Sequence, residues 1–219
     1  MHKRGEPFDY SRRAAELLRH RFVREVAARL TPRPARVLDV GCSMGQLTEQ
    51  LASVPEAVFA IDLSRVAISE ARSRVRGARF VVAAVTALPF RARAFDLVVL
   101  ADGLHSWKLS PRERGAALGE AHRVVGAGGF ALLTEYLQPR AFPAFVAQVR
   151  ASAFEVVSVA YLYDRLWYRI ESWLKAVRGW RGVQRLLASV PFALLLRSLS
   201  RWFGASGSRH VCVVARKAP

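Results

Sequence analysis

Asp39, Gly41 and Gly45 stand in the pattern D-x-G-x-x-x-G within VLDVGCSMGQ, residues 37–46. Glycines at this spacing let backbone approach a ligand and adopt dihedrals closed to other residues. Asp39 can accept hydrogen bonds from loop amides or, through water, from a ligand's ammonium. The turn feeds a helix, whose N-terminus favours a carboxylate. Asp62 ends a second apolar run, AVFAID. A carboxylate there can accept both hydroxyls of a ribose. Its other use is to cap the next helix, for which Ser64 is also available. His105, in LVVLADGLHSW, is of the residue type that most often takes a proton from a hydroxyl or phenol in catalysis. It can equally cap the element that follows.

Two common phosphate-binding turns do not fit. A dinucleotide fingerprint needs G-x-G-x-x-G, but Ser43 and Gln46 occupy its second and third glycine positions. A P-loop needs Gly-Lys-Ser/Thr at its end, and nothing of that kind follows Gly45. The turn is therefore expected to meet a ligand without a pyrophosphate. Cys42 and Cys212 lie far apart, with no metal-like spacing and no disulfide framework, so a reducing cytoplasm and no metal are expected.

These residues need a scaffold, and the hydrophobic pattern supplies one. Residues 8–30 read as a helix with Leu17, Leu18, Phe22, Val26 and Leu30 on one face. Strands are expected at ARVLDV, AVFAID, ARFVVAAV, FDLVVLAD, GFALLTEY, FEVVSVAYL and RHVCVVARK. Helices fall between them. One begins at Ser110-Pro111, with Glu113 closing a capping box, and Gly126, Gly128 and Gly129 stop it. Strands alternating with helices predict an α/β domain with a mostly parallel sheet covered on both faces. Such a sheet binds ligands beyond the carboxyl ends of its strands, where the decapeptide turn sits. Four units follow: an N-terminal helix and linker (1–34), a core (35–161), an insertion (162–208) and a final strand (209–219).

The turn, VFAIDLS, FDLVVLADGLHSW and HRVVGAGGFALLTEY, in this order, resemble the class I S-adenosylmethionine-dependent methyltransferases, in particular their type 11 small-molecule branch. The resemblance implies a Rossmann-like seven-stranded sheet with S-adenosyl-L-methionine as cofactor. It places Asp39, Gly41, Cys42, Gly45, Asp62, Leu63, Val85 and Ala101 around that cofactor, with Leu63 against one adenine face. Relatives carry an acidic residue after the third strand, where this chain has Ala84; the Val85 backbone or the Thr86 hydroxyl would read the adenine instead. His105, Trp107, Tyr136 and, from the N-terminal helix, Tyr10 would face the methyl acceptor, with His105 as the catalytic base. Arg13 is a further candidate for ligand contact. Methyl transfer is an in-line displacement in which positioning supplies much of the acceleration.

The formal charge of +17 raises nucleic acid as a partner. Only Lys3, Lys108, Lys175 and Lys217 are lysines, so the arginine excess also fits a GC-rich coding sequence. An RNA methyltransferase is the alternative reading, without the N-P-P-Y or Pro-Cys motifs of base methylation. A non-catalytic binding protein on the same fold is another, motivated by Ala84. Residues 162–208 hold Trp167, Trp173, Trp180 and Trp202 and read as two or three helices. Leu195, Leu199 and Trp202 share one helical face, and Arg197 and Arg201 another. Such helices suit a cap or lid over an apolar acceptor, an oligomer interface, or peripheral contact with a membrane's inner face. The N-terminus has no apolar stretch of a secretory signal.

Overall fold

The computed structural model describes residues 13–53, 56–105, 108–174 and 181–219. The chain alternates strand and helix as its patterning demands. The strands are β1 (Arg36–Val40), β2 (Ala57–Asp62), β3 (Arg79–Val82), β4 (Phe95–Ala101), β5 (Val125–Tyr136), β6 (Glu155–Tyr161) and β7 (His210–Arg216). The helices are α1 (Ala14–Ala28), α2 (Gln46–Leu51), α3 (Arg65–Arg74), α4 (Pro111–Val124), α5 (Phe142–Ala151), α6 (Arg165–Trp173), α7 (Arg181–Leu187) and α8 (Val190–Arg201). The seven strands form one sheet in the order β3-β2-β1-β4-β5-β7-β6. Only β7 runs antiparallel to its neighbours. The order reverses between β1 and β4, so the crevice beyond Val40 and Leu100 is the topological switch point.

Local chemistry sets the helix starts. The Ser64 hydroxyl accepts from the Ala67 amide at 3.2 Å and caps α3. At α4 Ser110 and Glu113 close the expected capping box, with Pro111 in the first turn. Central strands are buried on both faces: β7 is solvent-free from His210 to Ala215. One apolar cluster joins Leu38, Val98 and Leu133 to Leu118 and Phe145 on one face. Another joins Val37, Leu97 and Leu132 to Val23 and Leu51 on the other.

Three expectations need correction. β5 begins at Val125 rather than Gly129, because the glycines form a bulge instead of a loop. Gly128 has φ +70°, and a Cβ on Gly129 would lie 2.9 Å from the Asp96 carbonyl oxygen. β3 ends at Val82, since the chain then turns and the Ala87 amide bonds the Ala84 carbonyl at 3.1 Å. The described part of the first helix, α1, is rotated from its expected face. It buries Glu16, Arg19 and His20 beside Val23 and Ala27, while Leu17, Leu18, Phe22 and Val26 are half-buried. Polar partners waiting inside, described below, override hydrophobic periodicity there. Residues 8–12 of that predicted helix lie outside the described residues.

The segment between β6 and β7 folds as α6, α7 and α8 against α1. Ser189 caps α8 by accepting from the Phe192 amide at 3.3 Å. Ala193, Leu196 and Ser200 face inward, whereas Leu195, Leu199 and Trp202 face solvent. Arg197 is half-buried, its guanidinium 5.8 Å from the Phe22 ring centroid. Among the described residues no helix is long and apolar enough to cross a membrane.

Candidate functional site

The glycine turn leaves β1 at the switch point. Gly41 and Gly45 have φ of +80° and +81°, a region closed to most side chains. Ser43 also sits at positive φ, +48°. A Cβ on Gly45 would meet the Ala71 Cβ at 3.1 Å, so the turn packs directly on α3. A Cβ on Gly41 would meet only the Gly103 Cα, at 3.9 Å. Bare backbone from the ends of β1 and β4 thus lines the crevice from both sides. Gly103 had no signal beyond its place after the fourth strand.

Asp39 is buried and accepts a 2.6 Å hydrogen bond from the Thr48 hydroxyl on α2. Burial pushes its carboxyl up to about 6, against the pull of that bond. Asp39 is thus tied to α2 through a hydroxyl rather than to the loop amides expected of it. Asp62 bridges the loops, its two oxygens accepting from the Ser43 amide at 2.9 Å and the Ser64 amide at 2.8 Å. A carboxylate offers about four lone-pair sites, so two further acceptor positions remain. Leu63 beside it is 73% exposed, an apolar side chain held on the surface. Val85 is half-buried against the core, and Ala101 ends β4 without bulk. Cys42 is buried, and its thiol is pushed far up by burial and by Asp39, so it is inert.

Past Ala101 the chain turns at Asp102, whose φ is +57°. His105 then places Nδ1 on a carboxylate oxygen of Glu135, near the end of β5. The other Glu135 oxygen accepts from the Leu104 amide at 3.3 Å. Burial raises the Glu135 carboxyl, and the His105 hydrogen bond opposes the rise. Ligating atoms of Asp102, His105 and Glu135 lie within 4.8 Å of one another. Glu135 escaped the sequence reading because a carboxylate inside an apolar strand has no periodic signature. Tyr136, next along β5, packs its ring against Tyr168 and His210 with centroids 5.0 and 5.1 Å away, and Arg209 lies over it at 4.5 Å. Burial raises its hydroxyl, with Arg209 opposing. Tyr10 and Trp107 lie outside the described residues.

A buried ionic network seals this end of the sheet. Arg19 of α1 reaches Asp102 at 3.1 Å and Glu16 at 2.7 Å. His210 of β7 places Nε2 3.2 Å from the same Asp102 oxygen and Nδ1 on Asp164. Burial opposes charge on His210, but Asp102 and Asp164 overcome it and raise the ring to about 10. Asp102 is held far below the usual carboxylate range: burial opposes, and Arg19 and His210 prevail. Arg13 does not turn to the crevice. It pairs with Glu171 and lies 5.2 Å from the Trp167 ring, inside the insertion.

A family model described as "Methyltransferase domain" matches residues 37–129, the span from β1 into β5. NodS, an N-methyltransferase from Bradyrhizobium japonicum WM9 solved with S-adenosyl-L-homocysteine, superposes at a TM-score of 0.68. That superposition covers 97% of this chain and 92% of NodS at 15% identity, so it carries the fold alone. The demethylmenaquinone methyltransferase of Thermus thermophilus is 34% identical over 122 residues, 53% of this chain and 54% of its own. The malonyl-[acyl-carrier protein] O-methyltransferase of Enterobacter lignolyticus is 30% identical over 195 residues, 89% of this chain and 73% of its own. The chain belongs to the class I S-adenosylmethionine-dependent methyltransferases. It spans about half the length of the first curated relatives it matches, 48% and 54%. The cofactor of a class I methyltransferase fits the donor set here: bare backbone at Gly41 and Gly103, spare acceptor positions on Asp62 and exposed Leu63.

Proposed function

We propose that this chain transfers a methyl group from S-adenosylmethionine to a small, lipid-like acceptor, with His105 as the general base. The observation that carries the reading is the His105–Glu135 pair standing at the strand ends beside the glycine crevice. In this reading Gly41, Cys42, Gly45 and Ala101 shape the cofactor seat, with Asp39 holding the turn. Asp62 takes the ribose hydroxyls, and Leu63 and Val85 flank the adenine, with Ala84 leaving recognition of its edge to backbone. Bound S-adenosylmethionine supplies an electrophilic methyl on a sulfonium. Glu135 fixes the His105 tautomer with Nδ1 as donor, which makes Nε2 the basic nitrogen. That nitrogen would take the acceptor's proton as the acceptor's oxygen, nitrogen or carbon gains the methyl, the sulfur–methyl bond breaking to leave the neutral thioether. Arg19 and His210 already compensate Asp102, which argues for acid–base work rather than a divalent cation among Asp102, His105 and Glu135.

Tyr136, with Tyr10 and Trp107 as further candidates, faces the acceptor, and residues 162–208 form the cap on that side. The names of the relatives, demethylmenaquinone and malonyl-[acyl-carrier protein] methyltransferases, support an acceptor with an apolar part. The chain works in the cytoplasm, against the membrane's inner face. The test is transfer of labelled methyl from S-adenosylmethionine to a panel of quinols, phenols and acyl thioesters. Label in an organic-extractable product supports the reading; label in RNA alone, or in nothing, overturns it.

A further inference from the structure

The helices between β6 and β7 present an outward surface of unusual composition. On α8 the inward side is spent on Ala193, Leu196 and Ser200. The outward side carries Leu194, Leu195 and Leu199, 45%, 57% and 47% exposed, and continues into Trp202 and Phe203, 87% and 61% exposed. Trp173, at the end of α6, is 83% exposed. Those on α8 and its extension occupy contiguous turns, not the scattered positions normal for apolar residues on a surface; Trp173 stands on the adjoining α6.

The charge around this ridge has one sign. Residues 162–208 contain only two carboxylates, Asp164 and Glu171. Both are used internally, Asp164 by His210 and the Arg209 amide, Glu171 by Arg13. Arg169, Arg185 and Arg201 are exposed. The described outward surface of the insertion therefore carries leucines, aromatic rings and arginines among small and uncharged polar residues, with no exposed carboxylate among its described residues.

We propose that the outward face of α8, with Arg201 at its end and with exposed Trp173 and Arg185 on the adjoining α6 and α7, docks on a bilayer surface containing anionic lipid. Leu194, Leu195 and Leu199 enter the acyl boundary. Trp202 and Phe203 sit at headgroup depth, and the arginines pair with lipid phosphates. A second copy of the chain is the weaker occupant, because a two-fold contact would set Arg185 and Arg201 against their own kind. The insertion leaves the sheet after Tyr161 and returns at His210, at the end that carries the glycine turn and His105. Docking therefore sets the crevice at the lipid surface. This deepens the membrane-side placement proposed above and rests on it.

The test is co-sedimentation of the full chain with vesicles of phosphatidylcholine alone, or with about 30 mol% phosphatidylglycerol. Sedimentation with the anionic vesicles is expected, weakened about tenfold or more by salt near 0.5 M. The variant Leu195→Asp/Leu199→Asp/Trp202→Asp should lose about tenfold or more in partitioning, and so should Arg185→Glu/Arg201→Glu. Unchanged circular dichroism and thermal midpoint establish that the variants fold. No sedimentation with anionic vesicles overturns the proposal, as does equal sedimentation of the variants. So does a dimer of the parent chain that the ridge variant abolishes. Titration with S-adenosylhomocysteine reads the methyltransferase assignment separately, so failure of one is distinguishable from failure of the other.

Discussion

The chemistry proposed for the crevice rests on a few side chains whose partners are fixed. His105 is held by Glu135, and the same carboxylate holds the Leu104 amide, so the ring and its loop are positioned together. General-base catalysis contributes about 10²–10⁴-fold, and His105→Ala should lower kcat by that order while S-adenosylhomocysteine affinity stays unchanged. Glu135→Gln keeps the shape but removes the charge. It should lower kcat about tenfold or more, and it should shift the lower limb of the kcat pH profile to more acidic pH. Steady-state kinetics across pH checks both, and loss of cofactor binding in either variant would contradict the assignment. The places of Asp39, Gly41, Gly45, Asp62 and His105, in or just beyond the carboxyl ends of β1, β2 and β4, were legible in the sequence from the apolar runs that precede them. Glu135, Arg19 and His210 were not, because a charge placed in an apolar strand or on a helical face counts as solvated until its partner is seen.

At the scale of elements, the turn between β1 and α2 has no room to vary. Gly45 at positive φ also touches α3, so Gly45→Ala incurs backbone strain and a 3.1 Å contact with Ala71. A loss of about 1–3 kcal/mol is expected, read as a lower thermal midpoint together with weaker S-adenosylhomocysteine binding. α1 depends on its buried ions. Arg19→Met would remove the nearest cation of Glu16 and leave Asp102 with His210 alone, and it should cost about 3–5 kcal/mol in denaturant unfolding. The succession of strands along the chain and the capping box at Ser110 followed from periodicity and cap residues. The face of α1, the early start of β5 and the outward leucines of α8 did not. Each was decided by tertiary partners: the ions around Asp102, the Gly126–Gly129 bulge, and a packing surface that took Ala193 and Leu196 first.

Across the whole molecule, α1, β4, β7 and α6 converge on His210. Facing it are Asp102 just past β4, Asp164 before α6, Tyr136 from β5 and Tyr168 from α6, with Arg19 and Glu16 behind Asp102. The folded state raises His210 to about 10. Its stabilisation is therefore fully present below the unfolded value near 6.5 and is lost as pH rises toward 10. The thermal midpoint should fall between pH 7 and pH 10, and His210→Gln should start lower at pH 7 and show less of that alkaline fall. The crevice between β1 and β4, which this network closes from one side, is the proposed seat of S-adenosylmethionine. Isothermal titration of the full chain with S-adenosylhomocysteine tests it most directly. One site per chain is expected, weakened about 100-fold or more in Asp62→Ala as the ribose contacts are lost. No binding, or equal affinity in Asp62→Ala, would contradict it.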